Sequence, residues 1–163
     1  MIKHTEQIMK NTHITELLSN KELNTVSSDD TLKVLLNNQL RDSTSTNYYM
    51  MDENDVLRGI ISERHLIRYL GGYIPFVDQK GLNQFLDNIE TVRISDIMET
   101  EFTSISVDSF LTDIVPLIDD CCGEIPVIDS QGRLLGEVTA QSILQRFERK
   151  QIRRDEAVLA HSC

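Results

Sequence analysis

Tryptophan is absent from the 163 residues, and aromatic residues make up only 6% of them. A core built from this chain is therefore aliphatic, supplied by Ile, Leu and Val. Basic residues are also short: 16 Lys and Arg stand against 26 Asp and Glu, a formal charge of −10. That balance argues against a duplex nucleic acid partner, which needs Lys and Arg to displace counterions. It leaves room for a small anionic ligand, because a local arginine or a helix N-terminus acts inside an acidic protein. No run of ~20 apolar residues exists, so neither a membrane-spanning helix nor a membrane partner is expected. Met1-Ile2-Lys3-His4-Thr5-Glu6 lacks the apolar core of a signal peptide, and a cytoplasmic location is the default expectation. Cysteine is limited to Cys121, Cys122 and Cys163. With an adjacent pair and no C-x-x-C, neither a disulfide framework nor a zinc site is indicated. His4, His13 and His161 are scattered without metal-ligand spacing, so no metal site is expected. No base neighbours Cys121 or Cys122, which read as core or interface thiols rather than nucleophiles.

What the chain does have is a long internal repeat. Gly59-Ile60-Ile61-Ser62-Glu63-Arg64-His65 returns 77 residues later as Gly136-Glu137-Val138-Thr139-Ala140-Gln141-Ser142. Each reads as a glycine, two residues of strand character, a hydroxyl, two spacers and a polar residue opening an apolar helix. The flanks repeat too. Ile14-Thr15-Glu16-Leu17-Leu18 is one apolar helical turn, matched by Ile94-Ser95-Asp96-Ile97-Met98. Thr25-Val26-Ser27 is a β-prone run, matched by Ser104-Ile105-Ser106. Ser28-Asp29-Asp30 offers N-cap chemistry to a helix carrying Leu32, Leu35, Leu36 and Leu40, and Asp108 is the matching cap. The second such helix is expected over Ser109 to Cys122, with Leu111, Ile114, Val115 and Ile118, and Pro116 inside it is expected to kink it or break one backbone bond.

Tyr48-Tyr49-Met50-Met51 and Val56 to Ile61 form a hairpin about the turn Asp52-Glu53-Asn54-Asp55. Its counterpart is Ile125-Pro126-Val127-Ile128 and Arg133 to Val138 about Asp129-Ser130-Gln131-Gly132. Ser62 caps a helix carrying Leu66, Ile67 and Leu70 and stopped by Gly71-Gly72. Thr139 begins the equivalent helix, with Ile143, Leu144 and Phe147 on one face. The domain reading is a helical or loosely ordered lead-in over residues 1–13 anchored by Ile8 and Met9, a first repeat over 14–72, and a linker over 73–93. A second repeat over 94–150 and a tail over 151–163 complete it. Within the linker, Leu82, Phe85, Leu86 and Ile89 mark a connecting helix over 80–90 on the surface between two halves. Neither copy buries its own apolar faces alone, whereas two copies together do. The mixed-charge run Glu148 to Glu156 reads as a solvated helical tail or a dimer contact.

These residues resemble a pair of CBS domains, the tandem module named after cystathionine beta-synthase. The resemblance rests on Ile94-Ser95-Asp96-Ile97-Met98, Glu124-Ile125-Pro126-Val127-Ile128-Asp129, Gly132-Arg133-Leu134-Leu135-Gly136 and Val138-Thr139, with Gly59, Ser62 and Leu66 kept in the first copy. It covers roughly residues 12–150 and is similar to stand-alone bacterial CBS-pair proteins. It implies an α/β (α+β) fold of two tandem β-α-β-β-α repeats, packed through their sheets into one pseudo-twofold module, and a homodimer. It further implies a regulatory, non-catalytic protein that needs no cofactor. Such a protein senses an adenosine-containing ligand between the repeats: AMP, ADP, ATP, S-adenosylmethionine or cyclic di-AMP. The regulated partner protein is not named by the resemblance. The alternative is a ligand-free dimerisation or scaffold protein.

A strand that ends in a hydroxyl and opens a helix presents free N–H groups and a positive helix end, which suit a phosphate or a ribose. Ser62 and Thr139 fill that position, and both also read simply as N-caps. The family places an aspartate three residues on, where His65 and Ser142 stand here. His65 suits a ribose or, protonated, a phosphate; Ser142 makes at most a weaker bond. The family's basic residue before the apolar-Pro-Val run is Asn47 in the first copy and Glu124 in the second. A glutamate there repels phosphate. The first copy, with Asn47, Tyr48, Ser62 and His65, is therefore the better ligand site, and Ser142, Thr139, Ile125 and Pro126 line the poorer one. Arg64 and Arg68 read either as phosphate contacts or as a solvated helix face.

Overall fold

A computed structural model describes residues 2–41, 46–72, 79–117 and 123–149. Residues 42–45, the part of the linker over 73–78, Cys121 and Cys122, and the residues beyond 149 lie outside the described residues. The described residues form a mixed α/β fold with two three-stranded sheets. It divides into two compact units, one spanning Lys21–Phe102 with Gly132–Leu134, the other joining the first 20 residues to the chain from Thr103 onward.

In the Lys21–Phe102 unit, β1 (Asn24–Val26) pairs parallel with β2 (Asn47–Met51), which pairs antiparallel with β3 (Leu57–Ser62). The hairpin turn is pinned by Asp52, whose carboxylate accepts from Asn54 and Val56 backbone N–H at 2.9 and 3.0 Å and from Arg58 at 2.7 Å. Asp55 closes it at φ 61°, a left-handed conformation that aspartate tolerates. Helix α2 (Leu32–Arg41) supplies Leu32 and Leu35 to the core, and α3 (Glu63–Gly71) supplies Leu66. Leu66, Tyr69 and Leu70 set the inward face of α3, so Ile67 lies 63% exposed and is not the core residue its apolarity suggests. Helix α4 (Gln79–Thr91) packs on α2 through Ile89 and a Lys33–Glu90 pair at 2.5 Å. The expected connecting helix is thus part of this unit.

The other unit opens with α1 (Ile2–Asn11), the helical form of the expected lead-in, which lays Met9 on the core. Its sheet has the order β4 (Ile105–Ser106), β5 (Glu124–Ile128), β6 (Leu134–Thr139), with β4 parallel to β5. The helix expected over Ser109–Cys122 is interrupted within the described residues. Following α5 (Ile94–Ile97) in chain order, α6 spans only Leu111–Ile114 before a 3-10 turn, Val115–Leu117, takes over. Pro116 lacks the N–H that would continue the α ladder. Asp108 is not its cap: Phe110 holds that position and donates its N–H to Asp113 Oδ2 at 2.8 Å, while Asp108 N–H bonds Ser106 Oγ. A further helix, α7, covers residues 140–149. Ile143 and Phe147 pack on the core, but Leu144 is 68% exposed.

The repeated apolar turns do not pack where their sequence position suggests. Ile94 and Ile97 of α5 join Val26, Tyr48, Ile61 and Leu66, the core of the first repeat. Ile14 and Leu17 join Ile105, Ile125, Val127 and Val138, the core of the second. Backbone bonds fix both exchanges. Ile94 N–H reaches Asp30 O at 2.8 Å, and Glu99 and Ile60 exchange N–H···O bonds of 2.9 and 3.0 Å. Ile14 N–H reaches Ser109 O at 3.0 Å, and Ser19 N–H reaches Glu137 O at 2.8 Å.

Candidate functional site

Two strand-to-helix junctions follow from the repeat, and their chemistry differs. At the first, β3 ends in Ser62 and α3 begins. Asn47, the first residue of β2, is the register partner of Ser62, and Tyr48 is the partner of Ile61. The hairpin thereby brings three of the residues expected at the site to one end of the sheet. Ser62 is extended, at φ −79° and ψ 153°, and its Oγ accepts from His65 N–H at 3.1 Å. Its N-cap role is therefore real. Glu63 N–H ties the helix start to Thr46 O at 2.8 Å.

Asn47 is buried and donates from Nδ2 to Tyr49 Oη at 3.5 Å. Tyr48 is buried as well; burial pushes its phenol up from the ordinary range, and the neighbouring Glu63 carboxylate adds to that. Arg64 and Arg68 lie exposed along α3, in ion pairs with no other described residue.

His65 holds the position one turn into α3. Its Nδ1 lies 2.8 Å from Glu99 Oε1, and 23% of its side-chain surface stays exposed. Glu99 escapes sequence reasoning because it lies 34 positions away, just past the second copy's apolar turn. The exchange of α5 onto the first repeat places it here. No local spacing carries that signal; only the knowledge that the turn crosses over would have found it.

The second junction is closed on itself. Thr139 N–H donates to Ser142 Oγ at 3.0 Å, and Ser142 N–H donates to Thr139 Oγ1 at 3.0 Å. Ser142 Oγ in turn donates its hydrogen to Thr139 O at 2.9 Å. This reciprocal cap satisfies the helix start from within. Ala140 N–H bonds Gly123 O at 3.1 Å, matching Glu63 and Thr46. Ile125 and Pro126 sit buried in β5, beside Glu124, which is only 8% exposed. Glu137 is fully buried in β6, and Arg146 of α7 pairs with Glu16. Among the described residues no cluster of His, Cys, Asp and Glu is placed to hold a metal ion, and no helix is long and apolar enough to cross a membrane.

Comparison with known proteins places this geometry in a family. The CBS domain model matches twice, over residues 14–72 and 94–149. A CBS domain-containing protein of Dictyostelium discoideum is 30% identical over 128 residues, covering 78% of this chain and 86% of its own. Among solved structures, the cytosolic domain of the Mg2+ channel MgtE in complex with ATP is 25% identical, with a TM-score of 0.58. It covers 78% of this chain, which in turn spans only 46% of that one. The CBS-pair protein CBSX2, known from Arabidopsis thaliana, has also been solved in complex with AMP. The AMP complex gives a TM-score of 0.67 over 86% of this chain and 99% of its own. At 17% identity that likeness speaks for the fold alone. Two matches to the family model, spanning most of the chain, and a relative aligned nearly end to end establish that this protein belongs to the CBS domain family and carries the domain as a tandem pair.

Proposed function

We propose that the chain is a non-catalytic regulatory module that takes an adenosine-containing ligand at the first junction and passes its occupancy, as a homodimer, to a protein partner. The observation that carries this reading is the meeting at one sheet end of Asn47, Ser62 and His65, with Tyr48 beside them turned into the core. Arg64 and Arg68 stand exposed on the helix that Ser62 opens. Support also comes from two relatives of the same fold, which hold ATP and AMP. Glu63 N–H and His65 N–H are taken by Thr46 O and Ser62 Oγ, so what the start of α3 offers a phosphate or sugar is the positive end of its dipole.

A second reading, a ligand-free dimerisation scaffold, draws on the second junction, where Ser142 spends its hydroxyl hydrogen on Thr139 and Glu124 is buried. Thermal unfolding with AMP, ADP, ATP, S-adenosylmethionine and cyclic di-AMP separates the two. A ligand at 100 times its dissociation constant adds about 2.7 kcal/mol. Ser62→Ala and Thr139→Ala each remove an N-cap and each cost about 1 kcal/mol of stability. Only Ser62→Ala is expected to diminish the ligand's shift. No shift with any of the five compounds rejects the sensor reading in favour of the scaffold.

A further inference from the structure

We infer that Glu99 is a positioning residue for the first junction: it holds His65 in the tautomer whose Nε2 accepts a hydrogen bond, and the group that Nε2 takes is a ribose hydroxyl. The inference rests on the nucleotide reading above and resolves a choice that reading leaves open, between sugar and phosphate. Three observations carry it.

The first is the pair itself. A carboxylate oxygen accepts, so at 2.8 Å from Glu99 Oε1 it is His65 Nδ1 that donates. In a neutral imidazole the proton on Nδ1 leaves Nε2 as an acceptor, because the hydrogen bond at one ring nitrogen sets the role of the other. The second is that both partners are fixed through their backbones. Glu99 is held to Ile60 by bonds of 2.9 and 3.0 Å, and the turn before it is anchored by buried Ile94 and Ile97. His65 N–H is held by Ser62 Oγ at 3.1 Å. The pair is therefore not two long side chains meeting by chance on a surface, the usual reason such a contact contributes little. The third is what remains open. His65 keeps 23% of its side-chain surface exposed, and among the described residues nothing hydrogen-bonds Nε2. A lone acceptor there matches a hydroxyl donor. A phosphate oxygen is itself an acceptor and gains nothing from it; phosphate falls instead to Arg64, Arg68 and the positive end of α3.

The test uses the full chain and two readouts. Nitrogen-15 shifts of the His65 ring, followed to the alkaline end of its own titration, report the tautomer without any ligand. Wild type is expected to show the Nδ1–H form. Glu99→Ala is expected to lose that preference, and Glu99→Gln, which keeps an acceptor oxygen, to restore it. Binding is then measured with ATP, 2′-deoxy-ATP and 3′-deoxy-ATP. One of the deoxy compounds is expected to bind wild type about fivefold to tenfold more weakly than ATP, the size of one neutral hydrogen bond. In Glu99→Ala that gap closes, and in Glu99→Gln it returns. Equal weakening of all three ligands in Glu99→Ala overturns the inference, as does a wild-type ring that shows no Nδ1–H preference. If ATP fails to bind wild type at all, the nucleotide reading falls and the hydroxyl assignment with it. The ring shifts still decide whether Glu99 positions His65.

Discussion

A Cβ placed on Gly59 would lie 2.9 Å from Met98 Cγ and closer still to the Met98 sulfur. One placed on Gly136 would lie 3.0 Å from Leu18 Cδ2. Met98 and Leu18 are equivalent residues of the two exchanged turns, so each glycine makes room for the side chain of the turn that crosses onto its strand. In the sequence these glycines look like part of a ligand motif, because they precede the hydroxyl by three residues. Their packing role is sufficient to explain them. Gly59→Ala is expected to cost about 1–3 kcal/mol by overpacking, with Gly136→Ala toward the lower end of that range. Met98→Ala opens the space that Gly59→Ala fills, so the double variant should be more stable than the two single costs added together. Urea midpoints of the four proteins measure this. Additive costs would place the glycine's importance elsewhere.

At the level of elements, each exchanged turn supplies two buried residues to the core it joins, Ile94 and Ile97 to one and Ile14 and Leu17 to the other. Ile14 and Ile94 are fully buried. Truncating either to alanine removes packed methyl and methylene groups and leaves a cavity, at about 2–5 kcal/mol. The structure says where the loss falls. Ile94→Ala is expected to raise hydrogen exchange first at β2 and β3, and Ile14→Ala first at β5 and β6, although each isoleucine opens the other repeat in the sequence. Faster exchange in β4 and β5 for Ile94→Ala would contradict the exchange of turns.

This is also where the sequence runs out. Apolar spacing identifies that Ile94 and Ile97 share a buried face, and the hairpins, α2, α3 and α4 are legible for the same reason. Spacing cannot say which core receives that face, because two copies of one pattern present nearly identical acceptors. Ile67 and Leu144 mislead in the same way: an apolar residue counts toward a stripe whether or not its direction on the helix reaches the core. At the site, Asn47, Ser62 and His65 are legible because a hairpin and a helix start fix them locally. Glu99 is not, because its place depends on the crossing turn.

For the whole molecule, a duplicated sequence suggests two equal ligand sites per chain, and the two junctions argue for one. The first offers an imidazole with an open ring nitrogen and two exposed arginines on its helix. At the second, the Ser142 hydroxyl hydrogen is committed to Thr139 O. Glu124 stands there at the β5 position where the first junction has Asn47, buried enough that water screens it poorly. A chain of formal charge −10 adds a general repulsion that only a local cationic group offsets. Calorimetric titration with ATP, or with whichever of the five compounds gives the largest thermal shift, is expected to saturate at one ligand per chain. The same titration of His65→Ala should lose most of the heat, whereas Ser142→Ala should leave affinity and stoichiometry unchanged, because Ser142 only caps its helix. Saturation at two per chain, or loss of binding in Ser142→Ala, would restore the symmetry of the repeat and return the second junction to the functional site.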